Sequence, residues 1–392
     1  MRIAIVGGGL GGLAAALFLR RAGLAATVYE QAPEPSEFGA GIVVSPNMVR
    51  PLAALGLAEG LERIAVRLDY AWEFRRWQDG RVLSAQPMGE ACRQLYGADT
   101  YVAHRADLLA LLQQALPSGQ LRLGHRCVAV RQDDREVEIE FQNGSTTKAD
   151  VLIGADGIHS VVRGAKVEAR FSGLCAFRCL VPAERAPDMA LRPVHTLWLG
   201  PGRHFVHYPI SAGRLVNLVA IVPAGDWRSE SWTADGRIED LLAEFQGWDE
   251  RVRQLIASAT TTKRWAMYDR DPLERWTEGR VTLLGDAAHA MLPFLAQGAA
   301  QAIEDAVVLA ACLKKTPSVM EALRRYEAIR QPRTSEVQLM SRGIELRNHL
   351  PDGAEQERRD AQFAGSDPLR ASAWLYGYEA EAVSDVTPRT AA

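Results

Sequence analysis

Three observations predict an α/β fold. First, the β-branched run Ile3–Val6 leads straight into the glycine cluster GGGLGG at 7–12 and an alanine- and leucine-rich segment. Second, two later apolar runs, ADVLIGADG at 149–157 and RVTLLGDAAHAM at 280–291, also end on glycine. Third, residues 170–275 are rich in aromatic, strand-like segments. Together they describe a Rossmann-type nucleotide-binding domain interwoven with a strand-rich domain and followed by a helical C-terminal part.

The elements follow in order. Ile3–Val6 reads as a buried parallel strand, LAAALFLRRAG as a helix ending near Gly23, and AATVYE as a second strand ending at Glu30. SEFGAGIVVSPNMVRPLAALGL, 36–57, reads as a loop and strand entering a helix. Residues 65–100 suggest antiparallel strands about the turn QDGR at 78–81, and HRADLLALLQQAL, 104–116, a helix. Residues 121–148 alternate as strands about QNGS at 142–145. A helix is expected near 237–257, another over GAAQAIEDAVVLAACLKK at 298–315, and more helix to about 348. The tail PDGAEQERRD reads as exposed, whereas ASAWLYGYEAEAV has aromatics enough to dock back. The expected division is a nucleotide-binding part at 1–70, 101–168 and 276–348, a sheet domain at 71–100 and 169–275, and a partly docked tail at 349–392.

Composition narrows the partners. With 392 residues, 47% hydrophobic, the chain can bury a substantial core. Its net charge is −3, and no basic block suggests nucleic acid or a membrane surface. Five cysteines without a CxxC pair argue against a disulfide framework or a zinc site, so no metal is expected and a cytoplasmic location is the default. Cys175 and Cys179 read as small buried hydrophobes. No run of about 18 apolar residues suggests a membrane span.

Within GGGLGG, Gly7, Gly9 and Gly12 satisfy GxGxxG, between a strand and a helix, with Glu30 ending the next strand. Gly7 makes the tight turn, Gly9 lets a pyrophosphate approach the backbone, and Gly12 lets the helix pack on the strand. The helix N-terminus, from Leu10, offers unpaired N–H groups to phosphate. Glu30 can accept from ribose hydroxyls. No second GxGxxG follows a strand, so no separate nicotinamide domain is expected.

LIGADGIHSVVR at 152–163, LLGDAAHAMLPFLAQGAAQAIEDA at 283–306 and HRADL at 104–108 resemble the fingerprints of single-component flavoprotein aromatic hydroxylases. The nearest groups are the salicylate hydroxylases, 3-hydroxybenzoate 6-hydroxylases and 6-hydroxynicotinate 3-monooxygenases. The resemblance spans nearly the whole chain. It implies FAD as cofactor and NADH or NADPH as transient electron donor. It also implies O₂ as co-substrate and a flavin C4a-hydroperoxide that hydroxylates a hydroxylated aromatic or N-heteroaromatic carboxylic acid. A homodimer is an expectation of the resemblance alone. Its cofactor residues map onto Gly7, Gly9, Leu10, Gly12, Glu30, Arg105, Val128, Asp156, Gly157, Gly285, Asp286, Gly298 and Ala299. Asp286 resembles the aspartate that bonds the ribityl chain, and Asp156-Gly157 the pair serving the pyrophosphate and the NAD(P)H path. Gly298 would bring helix N–H groups to the flavin. Asp107 and His289 read as structural. Competing readings are a flavin dehydrogenase or oxidase without oxygen insertion, and a non-catalytic nucleotide sensor.

The substrate side starts from GPGRHFVHYP, 200–209. Strand alternation puts His204, Val206 and Tyr208 on one face and Phe205 and His207 on the other. His204 is the candidate base and Tyr208 the candidate hydroxyl or carboxylate ligand. His207 reads as structural. In the loop MLPFLAQGA, Gln297 could donate to a substrate hydroxyl, Pro293 could offer its carbonyl, and Phe294 would line the site. Arg178 is a candidate for the carboxylate, against an equally good structural reading.

Overall fold

The strand Ile3–Val6 pairs in parallel with Ala26–Tyr29 on one side and Val151–Gly154 on the other. Val151–Gly154 pairs in turn with Val281–Leu283. The computed structural model describes residues 1–34, 40–164, 168–231 and 234–383; part of the SEFGA segment expected as a loop lies outside them. In the six-stranded sheet three strands that end on glycine therefore lie side by side, all pointing the same way. Their carboxyl ends form one edge, the place where open α/β sheets bind ligands. Helices Leu10–Arg21 and Gly298–Lys315 start at that edge and pack on each other.

The second sheet has eight strands. Its order is Asp235–Gly236, Thr262–Asp269, Arg170–Pro182, Leu215–Pro223, Arg203–Ile210, Val194–Gly200, Tyr70–Arg76, Val82–Pro87. The two faces obey the alternation read from the sequence. Phe205 packs with Phe177, Leu218 and Phe245 beneath two covering helices. Val206 and Tyr208 pack on the opposite face with Leu197, Leu199 and the loop residues Met291 and Leu295. The single helix expected near 237–257 is two, Ile238–Glu244 and Glu250–Ala257. Gly247, at φ +80°, breaks it, and Asp249 caps the second by accepting from the Arg251 N–H at 2.9 Å. A short helix, Glu90–Tyr96, also interrupts the strands expected over 65–100.

Helix Val319–Asn348 completes the body. The tail is mostly exposed over 351–360, as read, but it forms a helix, Ala354–Gly365, that buries Gln356 and Arg359. Arg359 donates to the carbonyl of Arg347 at 3.1 Å, so its charge ends one helix rather than facing solvent. The aromatic segment does dock: Leu375 and Tyr376 are buried, and Arg50 donates to the carbonyls of Tyr376 and Tyr378 at 2.8 Å each. All five cysteines are buried and unpaired. No helix among the described residues is long and apolar enough to cross a membrane.

Candidate active site

The glycines of 7–12 divide by what surrounds them. A Cβ on Gly7 would lie 2.2 Å from the Ala155 carbonyl oxygen, and one on Gly12 would lie 2.0 Å from the Gly7 oxygen. These two are glycine because strand, turn and helix touch there. Gly9 is different: among the described residues the only atom within 4 Å of a Cβ there would be Nη2 of Arg105, at 4.0 Å. Packing does not demand glycine at position 9, and its backbone is open to approach. Helix Leu10–Arg21 has no side-chain cap and no acid in its first turn, so its leading N–H groups stay available to an anion. Glu30 reaches the same loop, accepting from Gly8 N–H at 2.6 Å and Ala32 N–H at 2.8 Å. Two of its lone pairs remain for ribose.

Asp286 is an exposed residue in an otherwise buried run, 281–290. The protein packed around it still pushes its carboxyl up by desolvation, offset in part by His289 and Arg105. Gly298, which starts the uncapped helix Gly298–Lys315, leaves room there, since a Cβ would stand 4.0 Å from Asp286 Oδ1. Ala299 follows in the same first turn. Gly285 turns the chain at φ +63°. Asp156 accepts from Ser160 Oγ at 2.5 Å and from the N–H groups of Val161 and Val162 at 2.7 and 3.1 Å. Its carboxylate therefore shapes the turn through Gly157, at φ +77°, rather than standing free. Val128 lies exposed on the strand Cys127–Gln132. An open glycine loop, two uncapped helix starts, an arginine and an exposed aspartate make a cradle that fits a dinucleotide.

The second group lies on the sheet. Registry puts His204 opposite Leu199 and Ile221, and Tyr208 opposite Asn217. His204 is buried and lies edge-on to Phe294, ring centres 5.6 Å apart. Its Nδ1 lies 2.7 Å from Nε2 of His349, and its Nε2 has no hydrogen bond among the described residues. Burial, then the neighbouring His349 and His195, hold His204 neutral. Burial pushes the Tyr208 hydroxyl up, so it stays protonated, and it too lacks a hydrogen bond among the described residues. Arg178 shares this face, its guanidinium 4.0 Å from the Trp265 ring centre; burial lowers it to about 9.

Two residues of the loop already have hydrogen-bond partners within the protein. Gln297 is buried in a polar network: its Nε2 donates to Ser45 Oγ at 3.1 Å, and its Oε1 accepts from Asn47 Nδ2 at 3.0 Å. These bonds tie the loop to Ser45 and Asn47. The Pro293 carbonyl accepts from Ala296 N–H at 2.9 Å within a 3₁₀ turn, which uses one of its two lone pairs. Phe294 packs with Trp265 and Leu292 beside His204. Asp107 and His289 are structural as read: Asp107 accepts from Ser211 Oγ at 2.7 Å, and His289 Nε2 lies 2.6 Å from Asp305.

Sequence reasoning missed three residues. His349 lies 145 positions from its partner. His195 tilts over Tyr208 at 4.9 Å between ring centres; alternation with Leu197 and Leu199 could have found it. Asn217 is buried beside Tyr208, its Oδ1 accepting from Gly41 N–H at 2.7 Å while its Nδ2 has no partner among the described residues.

Comparison with known proteins gives the family. A family model described as an FAD binding domain matches residues 1–340. A 3-amino-4-hydroxybenzoate 2-monooxygenase of Streptomyces platensis is 45% identical over 97% of each chain. A 3-hydroxybenzoate 6-hydroxylase of Polaromonas naphthalenivorans is 38% identical over 96% of each. The structure of Klebsiella pneumoniae HpxO complexed with FAD and uric acid superposes with a TM-score of 0.85 at 29% identity, covering 98% of this chain and 97% of that one. The chain belongs to the FAD-binding family, and within it to the flavoprotein aromatic hydroxylases, as an FAD-dependent monooxygenase.

Proposed function

We propose that this protein uses NADH or NADPH and O₂ to hydroxylate a phenolic aromatic or N-heteroaromatic carboxylic acid, with hydroxybenzoates as the favoured class. The observation that carries this reading is the shared face of His204 and Tyr208. There a neutral imidazole nitrogen and a protonated phenol, both without hydrogen bonds among the described residues, share a face with the half-buried Arg178. The names of the relatives, aminohydroxybenzoate and hydroxybenzoate enzymes, support it.

Bound and reduced, FAD would supply the activated oxygen. Gly9 and Leu10 would hold its pyrophosphate with Arg105, Glu30 its ribose, Asp286 its ribityl chain, Gly298 and Ala299 its ring edge, and Val128 its far end. Each other role falls to a side chain of the sheet. His204 Nε2 accepts the phenol proton, which raises the electron density of the ring. Tyr208 donates to the substrate oxygen and fixes its direction. Arg178 pairs with the carboxylate, and an anion restores the charge that burial disfavours. Phe294 and Trp265 give apolar walls that exclude water. The five unpaired cysteines suit a reducing, cytoplasmic setting.

The test is a panel of salicylate, 3-hydroxybenzoate, 4-hydroxybenzoate, 6-hydroxynicotinate and 3-amino-4-hydroxybenzoate, scored for both NAD(P)H oxidation and hydroxylated product. At least one phenolic acid should yield product. FAD-loaded protein that hydroxylates none would overturn the reading.

A further inference from the structure

We propose that His349 is a proton-relay residue, joining His204 to solvent so that the substrate phenol can ionise inside a closed pocket. This rests on the role of His204 proposed above.

The two imidazoles come from separate elements. His204 lies in the middle strands of the eight-stranded sheet, and His349 ends the long helix Val319–Asn348. Their nitrogens are 2.7 Å apart, a hydrogen-bond distance, with ring centres at 4.9 Å. The pair spans a gradient of access: His204 is 4% exposed, and His349 is only half-buried. The backbone holds the geometry, because the His349 carbonyl accepts from Gly202 N–H at 3.0 Å, two residues before His204. Phe294 stands edge-on to both rings, at 5.6 and 6.1 Å, and so walls the pair on the pocket side.

The bond fixes the bookkeeping of protons. The relay uses the tautomer in which Nδ1 of His204 donates to Nε2 of His349, which leaves Nε2 of His204 as an acceptor toward the substrate. The phenol proton moves to His204 Nε2, the Nδ1 proton passes to His349 Nε2, and His349 Nδ1 releases one to water. One O–H bond is broken and one proton reaches solvent. Both rings end neutral with their tautomers exchanged, and His204 Nε2–H now donates to the phenolate it created. No imidazolium has to persist. That suits a site where burial, the neighbouring His349 and His195, and for His349 the nearby Arg203 all disfavour charge. Arg203 is itself paired with Glu244 at 2.7 Å. Without His349, His204 could accept a proton only by becoming a buried cation.

The experiment mixes oxidised holoenzyme with the phenolic acid that the panel identifies. It follows phenolate absorbance and, with an indicator dye, proton release. Wild type should ionise the bound phenol and release about one proton per site. His349→Asn keeps an acceptor for His204 but cannot relay. It should slow release by about 100-fold, the lower end of what a positioned acid–base group contributes, with Kd for FAD and the thermal midpoint unchanged. Added imidazole should restore the rate. His349→Phe should behave alike without rescue if the cavity is filled. Wild-type release rates in both variants would overturn the relay. If His204→Asn were slow in that case, the role of His204 would stand; if the bound phenol never ionises in wild type, it is the role of His204 that fails.

Discussion

Arg105 Nη2 stands 4.0 Å from where a Cβ on Gly9 would lie, and among the described residues nothing else comes as near. The space over Gly9 is therefore open where the proposed FAD pyrophosphate would lie. Gly9→Ala should leave the apoprotein's thermal midpoint unchanged, because position 9 has an extended backbone (φ −73°, ψ −177°). It should weaken FAD binding at least about tenfold, an energy near 1.4 kcal/mol. Gly12→Ala should instead destabilise the apoprotein, since its Cβ would collide with the Gly7 oxygen at 2.0 Å. Flavin fluorescence titration and thermal melts separate the two effects.

Arg330 is the hub of a buried charge network. It donates to Glu304 and Asp305 at 2.7 Å each, and all three side chains are fully buried. Arg330→Met should cost about 3–5 kcal/mol, because it removes the guanidinium shared by two buried carboxylates and leaves Glu304 with Arg333 alone and Asp305 with His289 alone. Urea unfolding of the apoprotein measures it. A loss below 1 kcal/mol would show the network to be dispensable.

Stability should depend steeply on mild acid. Burial holds His195 and His207 down to about 3, His349 to about 4, and His204 well below its ordinary value. The unfolded chain takes up these protons near pH 6.5 and the fold refuses them. The stability is thus full above about pH 6.5 and falls as pH drops toward 4, by about 1.4 kcal/mol per unit for each histidine. His207 isolates one of them: both its nitrogens are buried without partners, and it faces away from the site. His207→Leu should flatten the slope by one proton and leave hydroxylation intact. An unchanged slope in urea midpoints between pH 7 and 5 would contradict this.

A methyl on Gly41 would meet Tyr208 Cε2 at 2.4 Å and its hydroxyl oxygen at 2.7 Å. Gly41→Ala should therefore push the Tyr208 ring and raise KM for the phenolic acid severalfold, with FAD affinity kept. Steady-state kinetics with product detection reads this. His204→Ala should go further and lose about 100-fold or more of coupled hydroxylation, with FAD retained. Full activity would remove His204 from the mechanism.

The cofactor half was legible because its chemistry is local. Gly7, Gly9, Gly12 and Glu30 declare a turn, an approach, a packing contact and a ribose acceptor within 24 residues. The parity of GPGRHFVHYP was legible for the same reason: alternation along a strand is a local rule. What the sequence hid was long-range. His349 meets His204 only because a 30-residue helix returns to the sheet. Glu304 and Asp305 read as ordinary helix acids until Arg330 and Arg333, on another helix, bury them. The bonds of Gln297 to Ser45 and Asn47, about 250 residues earlier, are equally invisible along the chain.

The most direct test of the central claim is oxygen transfer itself. FAD-loaded protein, NADH or NADPH and the preferred phenolic acid are incubated under ¹⁸O₂, and the product is weighed by mass spectrometry. The account predicts one ¹⁸O atom in the new hydroxyl of each product molecule. Substrate-stimulated NAD(P)H oxidation that yields peroxide or a dehydrogenated product, with no ¹⁸O in the ring, would contradict it.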